Sequence, residues 1–257
     1  MDLSDVIVTA LGRLRGAMGY KAVDRFSVDS ADVPAAEREQ TDMHRFFYEN
    51  KGPIVHKWRH YLDVYDRHLS RYRNSPFRLL EIGVSRGGSL SLWRRYFGPR
   101  ATIFGIDIDP RCARFGGRDG EVRIGSQADA DFLEGVVKEM GGIDVVIDDG
   151  SHVARHQYAS FRSLFHLLSS DGVYICEDLC TSYWRGRFEG GYRRQSTFIE
   201  VAKRLVDDMH ADFHRHGENV PGASRSIGGL HFYKGIVVIE KAPQPLPTHV
   251  EVGVADL

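Results

Sequence analysis

From residue 77 onward, short apolar runs alternate with glycine-rich or polar turns. FRLLEIG, ATIFGIDI, EVRIG, IDVVID and GVYICED each have the length of a strand, and the first four lead through such a turn into a stretch that reads as helix. Runs of this kind predict parallel strands buried on both faces beneath crossover helices. The closing runs LHFYKG and IVVIEK are parted only by a turn at Gly235, which predicts an antiparallel hairpin. The pattern as a whole predicts a doubly wound α/β sheet, mostly parallel, with a C-terminal antiparallel hairpin.

Upstream the period is helical. Residues 3–17 and 34–49 read as helices, with Pro34 well suited to a helix start. Gly52-Pro53 then breaks the chain before HKWRHYLDVYDRHLSRY, in which Trp58, Tyr61, Leu62, Tyr65 and Leu69 recur at helical spacing. That aromatic stripe reads as core packing. The expected organisation is an N-terminal helical appendage over 1–53, an α/β domain over 54–241, and an extended proline-rich tail over 242–257.

Composition narrows the classes. The chain has 257 residues, 42% hydrophobic and 27% charged, enough for one large domain with an appendage. A net charge of −1 provides no global field toward nucleic acid or an anionic membrane. Cys112, Cys176 and Cys180 make an odd count without a CxxC spacing, so neither a disulfide framework nor a cysteine-zinc site is expected. That usage suits a reducing cytoplasm. The N-terminal stretch carries Asp2 and Asp5 and lacks the form of a signal peptide, and no run has the length needed to span a bilayer.

In open α/β sheets ligands bind beyond the carboxyl ends of the strands, so the residues just past each apolar run belong together. The first turn, EIGVSRGGS over 81–89, holds Gly83, Gly87 and Gly88 and ends at Ser89. Glycines there permit a tight turn and close approach of a ligand to the backbone. The acid Glu81 repels a pyrophosphate but suits a ligand with an amino group and a sulfonium, the pattern of S-adenosylmethionine. Asp107, at the tip of the second run, fits ribose hydroxyls in dinucleotide and S-adenosylmethionine sites alike. Ser126 and Gln127 follow the third run, where they could meet an adenine edge; Ser126 or Asp129 could equally cap the next helix.

The fourth run delivers Asp148, Asp149 and His152, and the fifth ends in Glu177 and Asp178. Carboxylates crowded on neighbouring strands raise one another's pKa and destabilise the fold. A hard divalent cation such as Mg2+ resolves that conflict, because it takes oxygen ligands and keeps positions open for water or substrate. His152, one turn past Asp149, could cap the following helix or act as a general base, its neutral imidazole suited to accept a proton near pH 7.

Together LLEIGVSRGGSLSLWRRYFG, GIDIDP, VVIDDGSH and ICEDLCTSYW resemble the bacterial class I O-methyltransferases that act on sugars of natural products and polysaccharides. The resemblance covers roughly residues 54–240, with DDGSH and ED its most specific part. It implies a Rossmann-like methyltransferase fold that uses S-adenosylmethionine and Mg2+. It implies metal binding by Asp149, Glu177 and Asp178, His152 as the base, and cofactor contacts from Glu81, Gly83, Asp107, Ser126, Gln127 and Asp148, with Ser89 added from the same turn. Nothing about the acceptor carries over from the first fifty or so residues.

Methyl transfer to an alcohol needs a nucleophilic oxygen, which chelation of a sugar diol by Mg2+ and proton removal by His152 would supply. The segment TSYWRGRFEGGYRRQS, with Tyr183 and Trp184, reads equally as a loop able to stack on a sugar ring and as a partly ordered surface loop; ENVPGASRSIGG could close the other side. A saccharide is the expected small-molecule partner, and a homodimer the expected assembly. A nicotinamide dehydrogenase shares Asp107 but leaves both acidic pairs unexplained. A non-catalytic S-adenosylmethionine-binding module has no use for an intact base. A catechol or other phenol as acceptor stays open, since Mg2+-dependent O-methyltransferases also act on phenols.

Overall fold

A computed structural model describes residues 33–214 and 225–253. The chain divides into two units at Ala35 and Ala36, and the architecture below is that of the second, Ala36–Leu257, by itself. The helix expected over 3–17 lies outside the described residues.

Every expected strand is present: β1 (Arg78–Ile82), β2 (Thr102–Asp107), β3 (Glu121–Ile124), β4 (Ile143–Asp148), β5 (Leu168–Cys176), β6 (Ile227–Tyr233) and β7 (Ile236–Lys241). They form one sheet in the order β3-β2-β1-β4-β5-β7-β6. β1 to β5 run parallel, and β7 is antiparallel to both β5 and β6. The strand order reverses between β1 and β4, which creates the crevice where ligands of this architecture bind.

The unbroken apolar runs have the cause their pattern suggested. Leu79, Ile103, Val145, Ile147, Val173 and Ile175 turn to one face and pack with Tyr61, Tyr65 and Trp93. Leu80, Phe104, Ile106, Val146 and Tyr174 turn to the other and meet Leu133, Phe161 and Phe198. The first face is covered by α2 (Tyr61–Leu69) and α3 (Gly88–Phe97), the second by α4 (Ala130–Met140), α5 (Ala154–Leu164) and α6 (Phe198–Met209). Burial on both sides leaves no polar alternation in the central strands.

The helical stretches before residue 77 differ from expectation. Residues 34–49 hold a single turn, Ala35–Arg38, and then α1 (Asp42–Tyr48). Thr41 restarts the helix by accepting the amide of His44 at 3.4 Å, so the chain breaks where a capping residue sits. In the next stretch only Tyr61–Leu69 is α-helical, followed by a 3-10 turn over Ser70–Tyr72. Lys57 and Trp58 precede the helix in irregular backbone, and both are pulled into the acidic site.

Candidate active site

β1, β4 and β5 end level with one another: Ile82 pairs with Asp148, and Asp148 with Cys176. Asp149 and Glu177 are therefore the first residues beyond two adjacent strands. The Glu177 amide donates to Asp148 O at 2.9 Å and the Asp149 amide to Ile82 O at 2.9 Å, which carries the ladder one step past the strand ends. Asp178 and His152 then take left-handed backbone, at φ 53° and 56°. Non-glycine residues hold this conformation at a cost of order 1–3 kcal/mol, and such strain gathers at functional sites. Here it brings two side chains together from separate loops.

Asp149, His152 and Asp178 converge, their ligating atoms all within 4.8 Å of one another. His152 Nε2 lies 3.8 Å from Asp149 Oδ1 and 3.7 Å from Asp178 Oδ2. The imidazole is not a helix cap, since Val153 fills that position and α5 has no side-chain cap. Its Nδ1 is buried and has no hydrogen-bond partner among the described residues.

Glu177 belongs to the next layer down. It is buried, its Oε2 receives Lys57 Nζ at 2.8 Å, and its Oε1 receives the Tyr65 hydroxyl at 2.6 Å. Lys57 Nζ also meets Asp149 Oδ2 at 2.7 Å. Burial alone would discharge Lys57, but the Asp149 and Glu177 carboxylates overcome it and hold the amine protonated well above its usual range. Glu177 itself is raised by burial, with Lys57 opposing. Asp178 Oδ1 receives Trp58 Nε1 at 2.8 Å and the Tyr61 hydroxyl at 3.3 Å.

The aromatic stripe is thus more than core. Tyr61, Leu62, Tyr65 and Leu69 are wholly buried, yet the tyrosine hydroxyls and the Trp58 indole grip the acids that follow β5. Lys57, Trp58, Tyr61 and Tyr65 escape sequence reasoning. A lysine opening an amphipathic stretch whose aromatics carry polar tips is the one signal that could have found them.

The cofactor candidates fall into two groups. Asp107, at the tip of β2, accepts the amides of Ser85 at 2.8 Å and Asp109 at 2.9 Å, and is only partly buried. Ser126 accepts the Ala128 amide, while the N-cap of α4 is Asp129. The others turn inward. Glu81 accepts Ser89 Oγ at 2.7 Å and Trp93 Nε1 at 2.9 Å, and burial lifts its carboxyl to about 7. Asp148 accepts Ser160 Oγ at 2.5 Å, Tyr174 OH at 2.9 Å and Gln127 Nε2 at 3.0 Å, while Gln127 Oε1 accepts the Ser151 amide at 2.7 Å. Gln127 and Asp148 thereby brace the DDGSH turn.

Gly83 has φ +99°, and a Cβ there would stand 2.1 Å from Asp149 O. Its glycine is required by the backbone of the loop that carries Asp149. Tyr183 and Trp184, a few residues past Asp178, are about half exposed, Trp184 edge-on to Phe188 at 5.6 Å. The segment is pinned where the Gly190 amide donates to Trp184 O at 2.8 Å and the Gly191 amide to Ser182 O at 2.9 Å. In ENVPGASRSIGG, residues 218–224 lie outside the described part. A cavity of about 590 Å³ opens at the opposite, amino ends of β1, β2 and β4, beside Arg78, Thr102 and Asp144. It is remote from all of this chemistry.

The donor set fits a hard divalent cation. Asp149 Oδ1 and Asp178 Oδ2 turn into one space beside His152 Nε2, and carboxylate oxygens are what Mg2+ prefers. Glu177 lies outside that three-residue group, with Lys57 on its Oε2 and Tyr65 on its Oε1.

A doubly wound sheet with an acidic, histidine-bearing site at its switch point defines a class I methyltransferase architecture. Residues 80–179 match the family model of a methyltransferase domain, and that part of the chain belongs to the family. Within it, the chain is similar to sugar O-methyltransferases. It is 38% identical over 220 residues to the 8-demethyl-8-(2-methoxy-alpha-L-rhamnosyl)-tetracenomycin-C 3'-O-methyltransferase of Streptomyces olivaceus, covering 81% of this chain and 56% of that protein. It is 38% identical over 193 residues to the mycinamicin VI 2''-O-methyltransferase of Micromonospora griseorubida, covering 69% of this chain and 47% of that protein. Among solved structures it is similar to the MycE methyltransferase of mycinamycin biosynthesis in complex with Mg, SAH and mycinamycin VI. That likeness has a TM-score of 0.69 and 32% identity, and covers 79% of this chain and 53% of that one. The chain spans about half the length of the curated relatives it matches.

Proposed function

We propose that this protein transfers the methyl group of S-adenosylmethionine to a hydroxyl of a saccharide or glycosylated natural product. The observation that carries the reading is the convergence of Asp149, His152 and Asp178 at the carboxyl edge of the sheet. The relatives named above, methyltransferases of glycosylated compounds, support the same acceptor class. Mg2+, when bound, would supply a Lewis acid that eases ionisation of an alcohol.

Asp149 and Asp178 would hold that ion, with Glu177 as the third acid if Lys57 yields its Oε2. His152 would take the acceptor proton at Nε2, the nitrogen that faces both carboxylates. Trp58 and Tyr61 fix Asp178, and Lys57 fixes Asp149, so both carboxylates are set before substrate arrives. Asp107, Gly83 and Ser126 border the crevice where S-adenosylmethionine would lie. Glu81, Ser89, Gln127 and Asp148 would shape its floor, since their polar atoms are already engaged within the protein. Tyr183 and Trp184 offer exposed ring faces to a sugar.

The domain division at residues 54 and 241 belongs to the same reading, as does a homodimer. A reducing cytoplasm is supported by Cys112, Cys176 and Cys180, all unpaired. Among the described residues no helix is long and apolar enough to cross a membrane. The test is a screen with isotopically labelled S-adenosylmethionine and Mg2+ against rhamnosides, other deoxysugar glycosides and catechols. Labelled glycoside is expected; label on catechol alone would replace the acceptor class.

A further inference from the structure

Two turns along α2 from Tyr61, a second set of ligating side chains meets. His68 Nδ1 lies 3.0 Å from Glu240 Oε1, and His231 Nε2 lies 3.4 Å from Glu240 Oε2. The two imidazole centroids are 4.5 Å apart, and ligating atoms of all three residues lie within 4.8 Å of one another. The residues come from α2, β6 and β7, so the grouping is made by the tertiary fold and not by one loop.

Three details exceed what an ordinary polar cluster needs. His68 is buried, and its Nε2 meets the Tyr233 hydroxyl at 2.9 Å, which orients Nδ1 toward Glu240. Bracing of the outer ring nitrogen by a second partner is how ligating histidines are held. His231 Nε2 is buried without hydrogen-bonding geometry to any group among the described residues. A nitrogen so placed is costly to a fold unless something else uses it. Gly229, two residues earlier on β6, leaves room beside the group: a Cβ there would stand 3.2 Å from both Glu240 Oε2 and His231 Nε2.

We propose that His68, His231 and Glu240 form a second metal site, one for a borderline-soft divalent cation such as Zn2+. Zinc takes two imidazoles and a carboxylate readily, whereas imidazole nitrogens are poor donors for Mg2+. The ion would clamp α2 to the β6–β7 hairpin. That helix carries Tyr61, whose hydroxyl donates to Gly235 O of the hairpin at 2.7 Å, and Tyr65, which holds Glu177. The site is structural and stands whether or not the methyl-transfer reading does.

The test uses the full chain, free of any polyhistidine tag, stripped with chelator and kept in saturating Mg2+. Co2+ is titrated while its visible absorption is followed, and Zn2+ binding is measured by calorimetry. One equivalent of Co2+ with ligand-field bands is expected, displaced by Zn2+ and unaffected by Asp149→Asn. His231→Ala, at a half-buried position the core does not depend on, is expected to weaken Zn2+ at least about tenfold and to abolish the rise in Tm that Zn2+ gives the wild type. Glu240→Gln, with its fold checked by circular dichroism, should do the same. Unchanged Zn2+ affinity and stoichiometry in both variants would overturn the proposal, as would uptake that disappears with Asp149→Asn.

Discussion

Lys57 Nζ lies 2.8 Å from Glu177 Oε2, and both side chains are almost entirely buried. An ammonium and a carboxylate in that setting are each costly alone and tolerable together. Lys57→Met leaves Glu177 and Asp149 without their partner and is expected to cost about 3–5 kcal/mol. Urea unfolding reads the loss. Adding Glu177→Gln should recover much of it, and a double-mutant cycle with no coupling between the two positions would refute the pairing.

His152→Ala is expected to lower kcat by about 10²–10⁴-fold, the range of a lost general base, while the unfolding midpoint hardly moves. The imidazole caps no helix, and its Nδ1 is not in a hydrogen bond among the described residues, so little folding energy depends on it. Parallel assays of turnover and thermal melting separate the two effects. Undiminished turnover would remove His152 from the chemistry.

Glu81 makes stability depend on pH. Burial lifts its carboxyl from 4.5 to about 7. Folding therefore favours the protonated form: the contribution is whole below about pH 4.5 and is lost as pH rises through about 7. Relative to Glu81→Gln, the wild type should lose about 3 kcal/mol across that window. Urea midpoints of both proteins from pH 5 to pH 8 measure it, and a constant difference between them would show that the carboxyl is not perturbed.

Gly83→Ala should destabilise by more than about 1 kcal/mol, because it forces a side chain into left-handed backbone. The Cβ would also stand 2.1 Å from Asp149 O, so the loop bearing a proposed ligand must shift. A loss of metal affinity alongside the loss of stability is expected from calorimetry. A fully stable variant with wild-type affinity would contradict this packing.

The strands were legible because burial on both faces leaves uninterrupted apolar runs, and the acids were legible because they sit one residue past those runs. The partners of the acids were not. Lys57 is 92 residues from Asp149 and 120 from Glu177, and an isolated lysine beside aromatic residues looks like a solvated helix end. Tyr61 and Tyr65 pack like core residues and also hydrogen-bond like site residues, and helical spacing reports only the first. The inward turn of Gln127 was not legible, because side-chain direction past a strand end is decided by its neighbours, here Asp148 and the Ser151 amide. The break at Thr41 hid inside an otherwise helical composition.

The most direct measurement is methyl transfer by chelator-stripped protein as Mg2+ is restored, with Asp178→Asn run beside the wild type. Turnover should be near zero without the ion and return as Mg2+ binds, with the midpoint for Asp178→Asn shifted at least about tenfold higher. Full turnover in the presence of chelator, or an identical midpoint in the variant, would contradict a cation held between the ends of β4 and β5.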